Sequence, residues 1–267
     1  MSPFTIRIRS ALLLSGLLFP APGFGQSQEE KQHETIKVQV PDTPDDGPRP
    51  DLEQLSKSII EGTNAFRKKE GREPVAVNEK LRATAQAFAE FMAKTDTYGH
   101  TADGKPPAAR AKTHEYDYCI VSENIAYAFD SSGFTAKALT GKFVTGWKNS
   151  PGHRKNMLNP DVIETGVAVA RSEKTGYYYA VQMFGRPASA AIEFQIANRT
   201  KESIIYTLGK KSFHLEPRVT RTHTLCRPAE MTFQWPGEKR EPIVVKPATK
   251  DHYLVTRLGD TFHVQKK

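Results

Sequence analysis

The sequence predicts an α+β chain in two folded parts, an αβα sandwich over residues 52–187 followed by a small all-β sandwich over residues 188–267. Three observations lead there. Apolar residues recur at three- and four-residue steps from Leu52 to Trp147, the period of a helix with one buried face. Strand-like runs lie between and after these helices, and two of them are joined by a turn of hairpin length. Beyond Arg186-Pro187 the helical period stops, and short alternating runs follow at steps of about ten residues.

The elements can be justified in order. Met1 to Gly25 has a basic start (Arg7, Arg9), a short apolar run (Ala11–Phe19) and small residues at Gly23 and Gly25 before Gln26. The run is half the roughly 20 apolar residues a membrane span needs, so residues 1–25 read as a signal peptide and the protein as secreted or periplasmic. Residues 26–51 are polar and proline-punctuated (PDTPDDGPRPD) and read as a disordered linker. Leu52, Leu55, Ile59, Ile60 and Phe66 share the face of a first helix that stops at Gly71. Asn78 caps a second, with Leu81, Ala85, Phe88 and Met92 on one side, which ends in the turn Tyr98-Gly99-His100-Thr101. Leu139, Phe143 and Trp147 mark a third. Ser150-Pro151 opens a short fourth, with Ser as cap and Pro in the first turn.

Strand candidates in this part are Cys119–Val121, Asn124–Ala128, Thr165–Ala170 and Tyr177–Phe184, the last pair joined by Ser172-Glu173-Lys174-Thr175-Gly176. Alternation across Tyr177-Tyr178-Tyr179 assigns these rings to core and surface faces rather than to one groove. The second part offers eight short runs, from Ile192–Ala197 to Thr261–Val264. Asn198-Arg199-Thr200 matches a glycosylation acceptor, but it sits between two of those runs and reads as a plain turn.

Charge and motif content exclude several functions. There are 38 Lys and Arg against 30 Asp and Glu, a net of +8, yet no dense basic run of the kind phosphate backbones select, so nucleic acid is not an expected partner. The surplus concentrates in residues 191–267, with 14 bases against 8 acids. In an exported protein that points to an anionic lipid or cell-envelope polymer. Nucleophile elbows, zincin helices, phosphate loops and dinucleotide fingerprints do not occur, so no nucleotide cofactor is expected. Cys119 and Cys226 read either as one bridge formed in an oxidising compartment or as two separate buried thiols.

Chemistry-bearing residues are few. His100 follows a glycine in a turn, His153 lies in the opening of the fourth helix, and Glu123 stands between them in Ser122-Glu123-Asn124-Ile125. Two imidazoles and a carboxylate converging on one cavity could hold a divalent metal and a water, or act as a general base and its orienter. The bland alternative is a pair of unrelated capping or surface histidines.

The run from Ile59 to Pro187 resembles the CAP superfamily of cysteine-rich secretory, antigen 5 and pathogenesis-related 1 proteins, most closely its bacterial SCP-like branch. The resemblance is carried by Asn64 and Arg67, Gly99-His100, Ser122-Glu123-Asn124-Ile125-Ala126, Trp147-Lys148-Asn149-Ser150-Pro151-Gly152-His153-Arg154 and Glu164-Thr165-Gly166-Val167, in that order. It implies an αβα sandwich and an extracellular life. It also implies a cavity lined by His100, His153 and Glu123, with a divalent metal such as zinc at the two histidines, and lipid or sterol binding at grooves elsewhere. A second acid, found in eukaryotic members shortly after the first histidine, is missing, since that stretch reads Ala108-Ala109-Arg110-Ala111. Glu164 is a possible substitute, although anchoring the start of the hairpin suits it better. Arg154 and Asn156 read as capping and packing residues. The expectation is a non-enzymatic exported binding protein with a metal-capable cavity. The alternatives are a hydrolase, protease or cell-wall enzyme, using the same trio with Ser122 or Ser150 as the available hydroxyls, and a lipid or sterol carrier.

Overall fold

The protein is described by a computed structural model over residues 35–41, 47–235 and 241–267, and the expected signal peptide, residues 1–25, lies outside that range. The first part runs β1 (Ile36–Lys37), α1 (Leu52–Lys69), β2 (Ala76–Val77), α2 (Glu79–Thr95), β3 (Thr97–Tyr98), α3 (Pro107–Thr113), β4 (Tyr118–Ala128), α4 (Ala136–Asn149), α5 (Pro151–Met157), β5 (Glu164–Arg171) and β6 (Tyr178–Pro187). Its main sheet has the order β2-β5-β6-β4, with β6 antiparallel to both neighbours and β2 parallel to β5.

Strand alternation divides this sheet between two helical layers. Tyr178, Ala180 and Phe184 of β6 join Val167 and Val169 of β5 in a core with Leu55 and Ile59 of α1 and Phe143 and Trp147 of α4. Tyr179, Val181 and Met183 join Ala168 and Ala170 on the opposite face, against Leu81, Phe88 and Met92 of α2. The αβα sandwich follows directly. Gly166 sets the spacing on the second face, because a Cβ there would strike the backbone of Leu81 and Arg82.

Local chemistry explains the helix ends. Asp51 accepts from the Gln54 N–H at 2.7 Å to start α1, and Asn78 accepts from Lys80 and Leu81 to start α2. Gly71, at φ +67°, supplies the left-handed residue after α1. Asn64 and Arg67, the polar pair of α1, hold chain on either side. Asn64 exchanges two hydrogen bonds with the backbone of Val75. The buried Arg67 guanidinium donates to the carbonyls of Glu73, Met157 and Asn159, which fastens the end of α5 to α1.

The structure corrects some sequence expectations. Residues 26–51 are not wholly an unstructured linker: β1 pairs with β3, Val38 is buried, and Pro48 accepts from the Phe134 N–H at 3.0 Å. Two β-compatible apolar residues, Ile36 and Val38, outweigh the polar composition around them. Cys119–Val121 and Asn124–Ala128 form one continuous strand, so Glu123 is mid-strand. Ser150 precedes α5 without a side-chain capping bond, leaving Pro151 as the start signal. The second helix closes at Thr95, with Asp96 in the left-handed region, and Tyr98 belongs to a strand.

The second part is all β. Strands β7 (Ile192–Asn198), β8 (Ile204–Leu208), β9 (Lys211–Leu215), β10 (Thr220–Leu225), β11 (Met231–Phe233), β12 (Ile243–Val245), β13 (His252–Leu258) and β14 (Thr261–Lys266) form two sheets, ordered β10-β7-β13-β14 and β12-β11-β8-β9. Phe194, Ile196, Tyr206, Met231, Phe233 and Val255 fill the space between them. Asn198 is fully buried and donates to Glu202 and Leu215, so the apparent glycosylation acceptor is a structural turn. We expect an endoglycosidase to leave the mobility of exported protein from a glycosylating host unchanged.

The two parts are joined covalently. Cys119 of β4 and Cys226, just after β10, form a disulfide with Cα atoms 5.1 Å apart. A backbone bond from Ala188 to Asp117 and an ion pair between Arg227 and Asp161 lie across the same junction.

Candidate site at the edge of the central sheet

Strand β4 is the outer strand of its sheet, and an open edge of backbone groups needs partners. Side chains supply them from both layers. The carbonyl of Ile125 accepts from Trp147 Nε1 at 2.9 Å and from the Tyr98 hydroxyl at 3.2 Å. That of Glu123 accepts from Asn156 Nδ2 at 3.1 Å. These bonds bring α5 and the turn after β3 to the same stretch of edge. His153 arrives from one layer and His100 from the other, and their ring centroids lie 6.3 Å apart.

The sequence-predicted trio is therefore assembled. Glu123 Oε1 meets His100 Nδ1 at 2.7 Å, and the Glu123 side chain has no exposed surface. The backbone carbonyl of His153 accepts from Asn124 Nδ2, whose own Oδ1 accepts from Asn156. Burial, with a smaller contribution from His100 beside it, pushes the His153 imidazole down to about 4, so the ring is neutral near pH 7. With the folded-state value below the ordinary 6.5, the unfolded chain binds the proton first as pH falls. Stability is expected to be full above about pH 6.5 and to drop between about 6.5 and 4, by about 1–2 kcal/mol after allowance for partial exposure. Denaturant titrations of wild type and His153→Phe at pH 7 and pH 4 check this. An equal pH response in the two would show that His153 is not its source.

One participant could not be read from the sequence. Arg110 of α3 places Nη2 2.7 Å from Glu123 Oε2, and its guanidinium stacks 3.5 Å from the centre of the Phe88 ring. It stands in the stretch where a second acid was sought. The only signals were a short Pro-Pro start and two basic residues, Arg110 and Lys112, too little to predict a seven-residue helix.

The other candidates fall elsewhere. Glu164, at the start of β5, accepts from the Tyr116 hydroxyl at 2.6 Å and does not join the two histidines. Burial and this carboxylate push the Tyr116 phenol well above its usual range. Arg154 pairs with Glu70 at 2.9 Å and covers Phe66. Ser122 Oγ is buried without a hydrogen-bond partner, so no imidazole activates it. Ser150 precedes α5, and its hydroxyl makes no capping bond there.

The residues present do not fit a resident divalent metal. Both oxygens of Glu123 are engaged, one by His100 and one by Arg110. A cationic guanidinium thus lies against the carboxylate that holds His100. Among the described residues, no group of three or more His, Cys, Asp or Glu is disposed to hold a metal ion.

A buried His-Glu pair and a second imidazole, built over the edge of an αβα sandwich, define a recognisable class. Residues 60–184, a little under half of the chain, match the cysteine-rich secretory protein family, CAP. The chain is 31% identical over 131 residues to the uncharacterized protein YkwD of Bacillus subtilis, an alignment that takes in 49% of this chain and 47% of that protein. It thus spans about half the length of that relative. Among solved structures, an outer surface protein of Borrelia burgdorferi is similar with a TM-score of 0.46 at 20% identity, over 53% of this chain and 98% of the other. An extracellular SCP-domain protein of Bacillus anthracis gives a TM-score of 0.43 at 25% identity, over 51% and 41% respectively.

Proposed function

We propose that this is an exported CAP-domain protein that works by binding an anionic component of the cell envelope, with the sandwich as a rigid frame and the β-rich part as the contact. The observation that carries the non-catalytic reading is the saturation of Glu123. A carboxylate with both oxygens engaged and no exposed surface is poorly placed to take a proton from water or from a hydroxyl. Export is supported by the Cys119–Cys226 disulfide, a bond that persists in oxidising compartments, and by the character of residues 1–25. Among the described residues no helix is long and apolar enough to cross a membrane.

Anion binding rests on the excess of bases in residues 191–267, part of which is presented at the β8–β9 hairpin, where Lys210 and Lys211 are exposed. Cosedimentation tests it, using phosphatidylglycerol vesicles, phosphatidylcholine vesicles and an anionic wall polymer. Binding to an anionic sample at low salt, lost at high salt and weakened by Lys210→Glu/Lys211→Glu, is the expected result. Equal behaviour toward charged and neutral samples would refute it. Unchanged hydrolysis of peptide or wall substrates by Glu123→Gln would likewise dismiss the hydrolase that uses this trio.

A second reading, carriage of a lipid or sterol, is favoured by one feature. A cleft of about 440 Å³ opens between α1 and α2 beside β5, floored by Ile60, Val77, Val167 and Val169. Tyr178 and Tyr179 are buried on opposite faces of β6 and form no part of it. Mass spectrometry of lipids extracted from purified protein separates this reading from the first.

A further inference from the structure

We propose that the cation of the CAP cavity in this protein is the guanidinium of Arg110, so that the site is complete without a divalent metal. The arrangement around Arg110 is a cage of oxygens. Nη1 donates to Asp103 Oδ1 at 2.8 Å and to the Lys105 carbonyl at 2.5 Å. Nη2 donates to Glu123 Oε2 at 2.7 Å and to the His100 carbonyl at 3.0 Å. Two carboxylates and two carbonyls are a set that a hard cation could equally attract. Here a side chain fills it. Phe88 closes one face of the guanidinium, and the Arg110 side chain is 5% exposed.

Three features make the guanidinium a fitted occupant. Planar, forked donors reach two carboxylates in different directions, which a point charge would do only if the oxygens drew together. Its acceptors come from the turn after β3 (His100, Asp103, Lys105) and from β4 (Glu123), so one cation ties the His100 turn to the sheet edge. The carboxylate shared with His100 is neutralised from its far side, leaving that imidazole held through Nδ1. An incoming divalent ion would have to displace a covalently tethered cation and share the space with its charge. The missing acid of the sequence comparison is then accounted for: a carboxylate is present nearby as Asp103, but it serves Arg110.

The inference is independent of envelope binding and is tested separately. Wild-type protein, freed of metals by chelator, is titrated with zinc, calcium and manganese by calorimetry and followed by thermal melting. Substoichiometric uptake and an unmoved melting temperature are expected. Uptake of one equivalent that is lost in His153→Ala would overturn the proposal. Arg110→Ala empties the cage and is expected to melt lower than wild type. Millimolar methylguanidinium should raise its melting temperature while leaving that of wild type unmoved. An Arg110→Ala protein as stable as wild type, or one indifferent to methylguanidinium, would also overturn it. Should Arg110→Ala fail to fold, Arg110→Lys keeps a point charge in the cage and is expected to fold and to refuse the same metals. An Arg110→Lys protein that melts with wild type would show that any point charge serves the cage, and would overturn the guanidinium as its fitted occupant.

Discussion

Glu123→Ala is expected to cost about 3–5 kcal/mol of stability, because it strips a buried ion network of its central anion. The Glu123 side chain is wholly buried and is the group through which His100 and Arg110 are connected. Without it the guanidinium keeps Asp103 and two carbonyls, but its charge compensation is halved while it remains buried on Phe88. His100 loses the acceptor that fixes its ring. Taken at a few degrees per kcal/mol for a domain of this size, the melting temperature should fall by about 10 °C. Glu123→Gln should lose less, since the amide keeps the shape and can still accept one hydrogen bond. A difference under about 1 kcal/mol between Glu123→Ala and wild type would show that the network contributes little beyond packing.

Loss of the Cys119–Cys226 bridge is the other large effect. The cysteines are 107 positions apart, and a closed loop of that length is worth at most about 4–5 kcal/mol on the chain-entropy account. The bridge also crosses between the αβα sandwich and the β-rich part, where the remaining polar contacts include one backbone bond and one partly exposed ion pair. The double variant Cys119→Ser/Cys226→Ser should therefore lose cooperativity as well as stability. Calorimetry is expected to resolve two transitions where the oxidised protein shows one. A single transition at an unchanged temperature, with and without reductant, would mean that the junction holds without the bond.

What the sequence disclosed follows from the range of the interactions involved. Helices α1, α2 and α4 and the strands of the β-rich part were legible because each buries one face, so Leu55, Ile59, Phe88 and Trp147 repeat at the period their burial requires. The motif resemblance placed His100, Glu123 and His153 together. Spacing alone could not have done so, since a turn, a strand and a helix bring them in from different layers. Arg110 was invisible for a related reason. Its role depends on four acceptors, two of them backbone carbonyls, and carbonyls have no sequence signature. The strand β1 was hidden by its brevity, two residues in a polar stretch. The pairing of Cys119 with Cys226 required knowledge of where β4 and β10 end relative to one another.

The carbonyl of Ile125, which accepts from Trp147 of one helical layer and from Tyr98 next to the other, has a consequence for recognition. Both histidines are positioned from this clasp outward, so their separation is a property of the sheet edge and not of any guest between them. A ligand bridging the two imidazoles would meet a surface already shaped, with little ordering left to offset on association. Its selectivity would then come from the imidazole spacing, which favours molecules that match it.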